Sequence, residues 1–246
     1  MEGHLEALRT AELEIVRTYF RPGVRVLEIG GGSGHQARTL AAWGCDVISL
    51  DVANRPTPMT QFHDVRTYDG VHIPFPDSTF DVVYSSNVLE HLQRPADLCT
   101  EMRRVLVSGG IAIHFIPTPA WRFWTSLAHY PHLVRRLVTR LQTPPTVRAD
   151  TPPSTSGPLR MGRLLRRALL AGAHGEYSNP ISELYYFRRR RWSALLCGSG
   201  LELMHVGGNG LFYTGYALFP TLSLNTRRIA ARFLGSSCHV FILRST

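Results

Sequence analysis

The chain has 246 residues, 44% of them hydrophobic and 10% aromatic, which suits one α/β domain with a decorated side. No apolar run approaches the roughly 20 residues of a membrane helix, and Met1 to Glu14, acidic and helical in pattern, does not read as a secretory leader. The net charge of +9 is carried by 27 arginines and no lysine, and four widely spaced cysteines (Cys45, Cys99, Cys197, Cys238) read as reduced thiols of a cytoplasmic protein.

From Leu5 to Phe20, apolar residues at Leu5, Leu8, Leu13, Val16 and Phe20 have amphipathic-helix spacing, and Pro22-Gly23 stops it. Val24–Ile29 is a strand that runs into Gly30, and a helix over about 34–43 follows and ends at Gly44. A second strand, 46–50, leads into Asp51. A short third strand is predicted at 62–65, before a loop containing Pro74 and Pro76. A fourth strand at 80–85 leads to a helix that starts at Asn87 and breaks before Pro95. A helix over 96–106 then turns through Gly109-Gly110 into a fifth strand, 111–116, closed by Pro117 and Pro119. Strands alternating with helices of this length predict a doubly wound, mostly parallel sheet with helices on both faces. Right-handed crossovers then put Gly30, Asp51, Asp64 and Asn87 along one edge.

The rhythm breaks between Pro119 and Tyr186. From Pro119 to Trp192 the chain carries 13 arginines against Asp150, Glu176 and Glu183, a net +10 that leaves −1 for the rest. The basicity therefore belongs to an insertion. One amphipathic stretch sets Leu133, Val134, Leu137, Val138 and Leu141 opposite Arg135, Arg136 and Arg140. A second sets Met161, Leu164, Leu165, Ala168 and Leu169 opposite Arg160, Arg163, Arg166 and Arg167. Between them, 143–158 is rich in Pro, Thr and Ser and reads as a mobile connector. The insertion reads as a basic helical lid over substrate. The α/β pattern resumes with a helix to Cys197, a strand at 201–206, a helix near 226–234 and a last strand at 239–243. The expected organisation is a cofactor-binding half (1–118), the inserted lid (119–190) and the end of the sheet (191–246).

The chemistry starts at Glu28-Ile29-Gly30-Gly31-Gly32-Ser33-Gly34. Glycines after a strand let a ligand approach the backbone, the next helix offers free N–H groups, and an acid at the following strand tip can hold ribose hydroxyls. Gly32-x-Gly34-x-x-Ala37 also satisfies the dinucleotide pattern, but counted from Gly30, where the strand ends, the third position is His35. Glu28 discriminates further: an acid under the turn repels a pyrophosphate and suits an ammonium or a sulfonium.

Four stretches resemble the class I S-adenosylmethionine-dependent methyltransferases of the type 11 group: Glu28-x-Gly30-x-Gly32-x-Gly34, Asp51, Phe62-His63-Asp64-Val65 with the run Ile73 to Asp81, and Asn87-Val88-Leu89-Glu90-His91-Leu92. The resemblance covers about 24–117. It implies S-adenosyl-L-methionine as cofactor and a seven-stranded sheet whose antiparallel last strand 239–243 could supply. It implies Glu28, Gly30 and Gly32 near the methionine part, Gly34 in the same cofactor-binding turn, and Asp51 on the ribose. Val52 would lie against the adenine, Asp64 and Val65 at its polar edge, and Asn87 beside the sulfonium.

For a hydroxyl acceptor the candidate bases are His91, His174 and Glu176. His114 reads as core, and Glu90 as a solvated helix position. No third ligand joins the His174–Glu176 pair in sequence, so no metal site is expected. The basic insertion admits a solvated face, a surface for a nucleotide-linked or phosphorylated small molecule, or contact with an anionic membrane carrying a lipid-linked acceptor. Nucleic acid ranks below these. The leading expectation is a methyltransferase acting on a small or lipid- or nucleotide-linked acceptor at oxygen, cytoplasmic and peripheral at most. Its rivals are an inactive methyltransferase-like docking module and a nicotinamide-dependent oxidoreductase, which a chain without lysine equips poorly.

Overall fold

A computed structural model describes residues 2–53, 60–142, 172, 174–175, 179–216 and 218–246. Its sheet has seven strands: β1 (Arg25–Ile29), β2 (Asp46–Val52), β3 (Val65–Tyr68), β4 (Phe80–Ser86), β5 (Leu106–Pro117), β6 (Leu201–Gly208) and β7 (Cys238–Ser245). Their order is β3-β2-β1-β4-β5-β7-β6, with the first five parallel and β7 antiparallel to both β5 and β6. The expected mostly parallel, doubly wound sheet is present, and 239–243 lies within the antiparallel strand β7.

Both faces of the sheet are buried, and the alternation of strand side chains divides them. Val26, Val82, Tyr84, Ile113, Phe115, Val240 and Ile242 pack on one side with Leu8 and Leu13 of α1 (Glu2–Ile15) and Leu40 of α2 (His35–Ala42). Leu27, Ile29, Val83, Ala112, Ile116, Phe241 and Leu243 pack on the other. There they meet Leu98 and Met102 of α3 (Pro95–Val105) and Trp192 and Leu196 of a later helix, Arg189–Gly198. Neighbouring residues of one strand thus serve different cores.

Three local expectations shift. The third strand runs over Val65–Tyr68, C-terminal to the predicted 62–65, because Val65 pairs with Ser49 while Phe62 N–H bonds the Ser33 carbonyl in a loop. After Asn87 there is only a single 3₁₀ turn, Leu89–His91, because Asn87 itself has left-handed φ of +56° and cannot begin an α-helix. The fifth strand starts at Leu106, ahead of Gly109, with a register shift against β4 that absorbs the glycine pair.

Between β5 and β6 the described helices are α4 (Pro119–Gln142), α5 (Pro180–Tyr186) and α6 (Arg189–Gly198). The stretches 143–158 and 161–169 lie outside the described residues. Of the α4 stripe, Val134, Leu137 and Val138 are exposed, and the same helix face continues through Phe123, Leu127 and Tyr130. Helix α7 (Leu224–Leu234) follows β6, N-capped by Ser223 Oγ, which accepts from Thr226 N–H. No helix among the described residues is long and apolar enough to cross a membrane.

Candidate active site at the carboxyl edge of the sheet

Strand β1 delivers the chain to Gly30, whose N–H bonds the Leu50 carbonyl at 2.8 Å with φ of +79°. A Cβ here would meet Val88 Cγ2 at 2.2 Å. At Gly31 a Cβ would lie 1.9 Å from Ser49 Oγ and 3.1 Å from Glu28 Oε2, so the turn is pressed onto the carboxylate beneath it. Gly32 faces the other way: a Cβ there would meet nothing within 4 Å, so the outer side of the turn is open to a ligand. Gly34 leads into α2, whose first N–H groups point toward the same edge.

Glu28 is buried below the turn and its Oε2 accepts from Ser49 Oγ at 2.5 Å. Burial raises its carboxyl to about 7, against the opposing pull of the Ser49 hydroxyl. It is a carboxyl on the verge of ionising, where a nearby cation favours the charged form.

Asp51 sits at the tip of β2, where its Oδ2 accepts from Gly32 N–H at 2.8 Å and its Oδ1 from Val52 N–H at 2.7 Å. The acid thus braces the glycine turn from the tip of β2. Val52 follows it, half-buried and paired with Tyr68. Phe62 is held edge-on to His35 and under the Arg38 guanidinium, 4.3 Å from the ring centre. Asp64 is a surface residue, its side chain 82% exposed and 3.8 Å from Arg66, and Val65 opens β3.

Asn87 follows β4, its N–H bonding the Phe115 carbonyl at 2.9 Å. With its amide oriented to satisfy both polar ends, Oδ1 accepts from Arg9 Nη1 and Nη2. Arg9 comes from α1 and pairs with buried Glu12 at 2.6 Å. Glu12 Oε1 in turn accepts from Asn209 Nδ2 at 2.9 Å and Tyr213 Oη at 2.7 Å. Nothing in the sequence announces this network, because Arg9 and Glu12 look like an ordinary exposed helix pair.

Beyond β4, Glu90 and His91 meet His174. The expectation of a solvated Glu90 is overturned: it is 1% exposed, because the 3₁₀ turn aims it inward and Gly175 packs over its backbone. The His91 and His174 rings lie 4.7 Å apart at 62°, and Trp121 abuts His174 at 4.6 Å. His174 is fixed through its backbone: Glu183 Oε1 accepts from His174 N–H at 2.7 Å and Gly175 N–H at 2.8 Å. Buried Arg122 lies 2.9 Å from Glu183 Oε2, off the line of its Nε–H, and donates through Nη2 to the Gly172 carbonyl at 2.9 Å. Two of the three base candidates are therefore together, and Glu176 lies outside the described residues. His114 is core as expected, bonded to Ser85 Oγ at 2.8 Å, with burial lowering its imidazolium to about 4.

These carboxylates and the open turn fit a ribose and a cationic chain better than a pyrophosphate. Comparison with known proteins agrees. Residues 27–114 match a family model described as a methyltransferase domain. A ubiquinone biosynthesis O-methyltransferase from Roseobacter denitrificans is 33% identical over 101 residues, which is 37% of this chain and 40% of that protein. The matched part is less than half the length of the curated relatives with which it aligns. An S-adenosylmethionine-dependent methyltransferase from Mesorhizobium loti superposes with a TM-score of 0.53 at 18% identity, covering 95% of this chain and 97% of that one. The [4+2]-cyclase SpnF superposes equally well, at 0.53 and 14% identity over 97% and 80% of the two chains, so the likeness carries fold and not reaction.

Proposed function

With residues 27–114 a methyltransferase domain of the type 11 group, we infer that the chain is an S-adenosylmethionine-dependent methyltransferase acting at oxygen on a small or lipid- or nucleotide-linked acceptor. One observation carries the cofactor half: an outward-open Gly32 braced by Asp51, above a buried carboxyl that titrates near neutrality. Bound S-adenosylmethionine supplies a methyl carbon already activated by its sulfonium. Asp51 would accept from the ribose hydroxyls, and Glu28, once ionised, would lower the energy of a cation above the turn. Asn87, locked by its backbone and by Arg9, borders the reacting end. Phe62, Asp64 and Val65 would flank the base, while Val52 would line its face.

The chain's remaining task is to align the acceptor and exclude water, a proximity effect worth several kcal/mol. As the new C–O bond forms and the C–S bond breaks, the hydroxyl proton must leave. The bases we propose for it are His91 and His174, which lie beside Glu90, acting directly or through water for a contribution of about 10²–10⁴-fold. The O-methyltransferase of Roseobacter denitrificans supports oxygen as the acceptor atom. Calorimetric titration with S-adenosylhomocysteine is expected to show binding that Asp51→Ala abolishes. Absence of heat at high micromolar ligand would sink the cofactor assignment, and methylation confined to amine acceptors would sink the oxygen assignment.

Helix α4 favours a lipid-linked acceptor among the possibilities. Phe123, Leu127, Tyr130, Val134, Leu137 and Val138 recur at helical spacing, all exposed, beside exposed Arg135 and Arg136. An apolar stripe with cationic flanks is the pattern of a helix lying in an anionic bilayer surface. Sedimentation of the full chain with phosphatidylglycerol vesicles tests this, and equal recovery with neutral vesicles would remove the electrostatic part.

A further inference from the structure

Glu90 poses an energetic problem. Its carboxylate is buried, and among the described residues neither oxygen has a hydrogen-bond partner. An uncompensated carboxylate in such a place costs several kcal/mol. The nearest groups able to help are His91 Nε2, 3.8 Å from Oε1, and His174 Nε2, 3.7 Å from the same oxygen. Both are too far for hydrogen bonds. One donor atom from each of the three residues lies within 4.8 Å of the others.

The geometry points to a divalent metal site at Glu90, His91 and His174, taking Zn²⁺ or a similar borderline transition ion. Two imidazoles and a carboxylate form a known zinc donor set that leaves a fourth position free. Tetrahedral bonds of about 2.0–2.1 Å place adjacent donors about 3.3 Å apart, so the 3.7 and 3.8 Å separations from Glu90 need close by about half an ångström, and the two imidazole donors, within 4.8 Å of each other, would draw together by a side-chain rotation. The ion would neutralise Glu90 and engage His174 Nε2, itself without a hydrogen-bond partner. Imidazole donors disfavour Mg²⁺ and Ca²⁺, and the absence of a thiolate from the set disfavours Cu⁺.

The surroundings hold the ligands in place. Glu183 pins the His174 and Gly175 amides, and Arg122 holds Glu183 and the Gly172 carbonyl. A Cβ at Gly175 would lie 2.4 Å from the Glu90 carbonyl oxygen, so the loop can reach Glu90 only with glycine there. Glu90's oxygens and His174 Nε2 are buried, so an exchangeable oxygen ligand would enter from the side of His91, whose side chain is 44% exposed. Under the methyltransferase reading, that oxygen is water or the acceptor hydroxyl, whose proton the ion would loosen. The metal site itself stands on its three donors alone.

The test uses untagged full-length protein stripped with a chelator and titrated with Zn²⁺ against a chromophoric competitor, and separately with Co²⁺. Expected are about one tightly bound ion per chain, the visible bands of four-coordinate Co²⁺, and at least ~10-fold weaker binding for each of Glu90→Gln, His91→Ala and His174→Ala. His91 is on the surface, so His91→Ala decides the matter if a Glu90 variant fails to fold. No binding, or binding unchanged in His91→Ala and His174→Ala, overturns the site. S-adenosylhomocysteine binding is measured on the same samples without metal, and its failure would count against the methyltransferase reading only.

Discussion

At the residue scale, Glu28 has the most to say about pH. Its folded value, about 7, stands above the ordinary 4.5. Such a carboxyl contributes stability that is fully present below the unfolded value and is lost as pH rises through the folded one. The shift corresponds to about 3 kcal/mol. We expect denaturant unfolding to report declining stability between about pH 5 and 8, a slope that Glu28→Gln flattens. Binding of a cationic cofactor should run the opposite way, tightening as Glu28 ionises. Calorimetry at pH 6 and pH 8 checks this, and equal affinities would take Glu28 out of the cofactor's field. Gly31→Ala is the complementary probe. A methyl 1.9 Å from Ser49 Oγ must move the turn or break the Ser49–Glu28 hydrogen bond beneath it, so cofactor binding should fall by more than tenfold. The sequence marks these positions because a strand, a glycine run and an acid are all local patterns. It does not mark the inward turn of Glu90, which depends on a left-handed Asn87 and on Gly175, 85 residues away.

At the element scale, two buried charge networks decide where helices sit. Glu12 ties α1 to Arg9, Asn209 and Tyr213, and through Arg9 to Ser86 at the end of β4, 3.1 Å away. Glu12→Ala would leave the half-buried Arg9 without its carboxylate partner and Asn209 and Tyr213 without their acceptor, and a loss of about 3 kcal/mol is expected in chemical denaturation. Arg122 and Glu183 do the same for α4 and α5. Amphipathic periodicity located α1, whose buried stripe recurs at every turn, and part of α4, whose apolar stripe recurs in the same way but is exposed. It misplaced β3 by three residues and read a helix after Asn87, where short elements depend on pairing with distant strands.

At the scale of the whole molecule, the charge and the exposed apolar surface have a common address. Helix α4 carries the stripe from Phe123 to Val138, and Ile229 and Phe233 on α7 are exposed too, Phe233 at 82%. Trp124 Nε1–H donates to the Leu234 carbonyl at 2.9 Å, which brings the start of α4 to the end of α7. Phe233→Ser should leave stability within about 0.5 kcal/mol of the parent yet reduce vesicle binding. Raising salt should weaken that binding, because at 0.15 M exposed charges are screened beyond about 8 Å. Salt-independent binding would leave the arginines without a role in it.

The amino-acid sequence by itself determined the sheet, its parallel core and the glycine–acid edge. Each is written in neighbouring residues: alternating apolar strands, helical stripes, and a turn whose steric demands only glycine meets. Tertiary structure alone decided which polar groups are buried together. Arg9 and Glu12 reach Tyr213, Arg122 reaches Glu183, and Glu90 reaches His174 across long stretches of chain. The cost of burying a charge is set by what the fold brings beside it, and no local spacing encodes that.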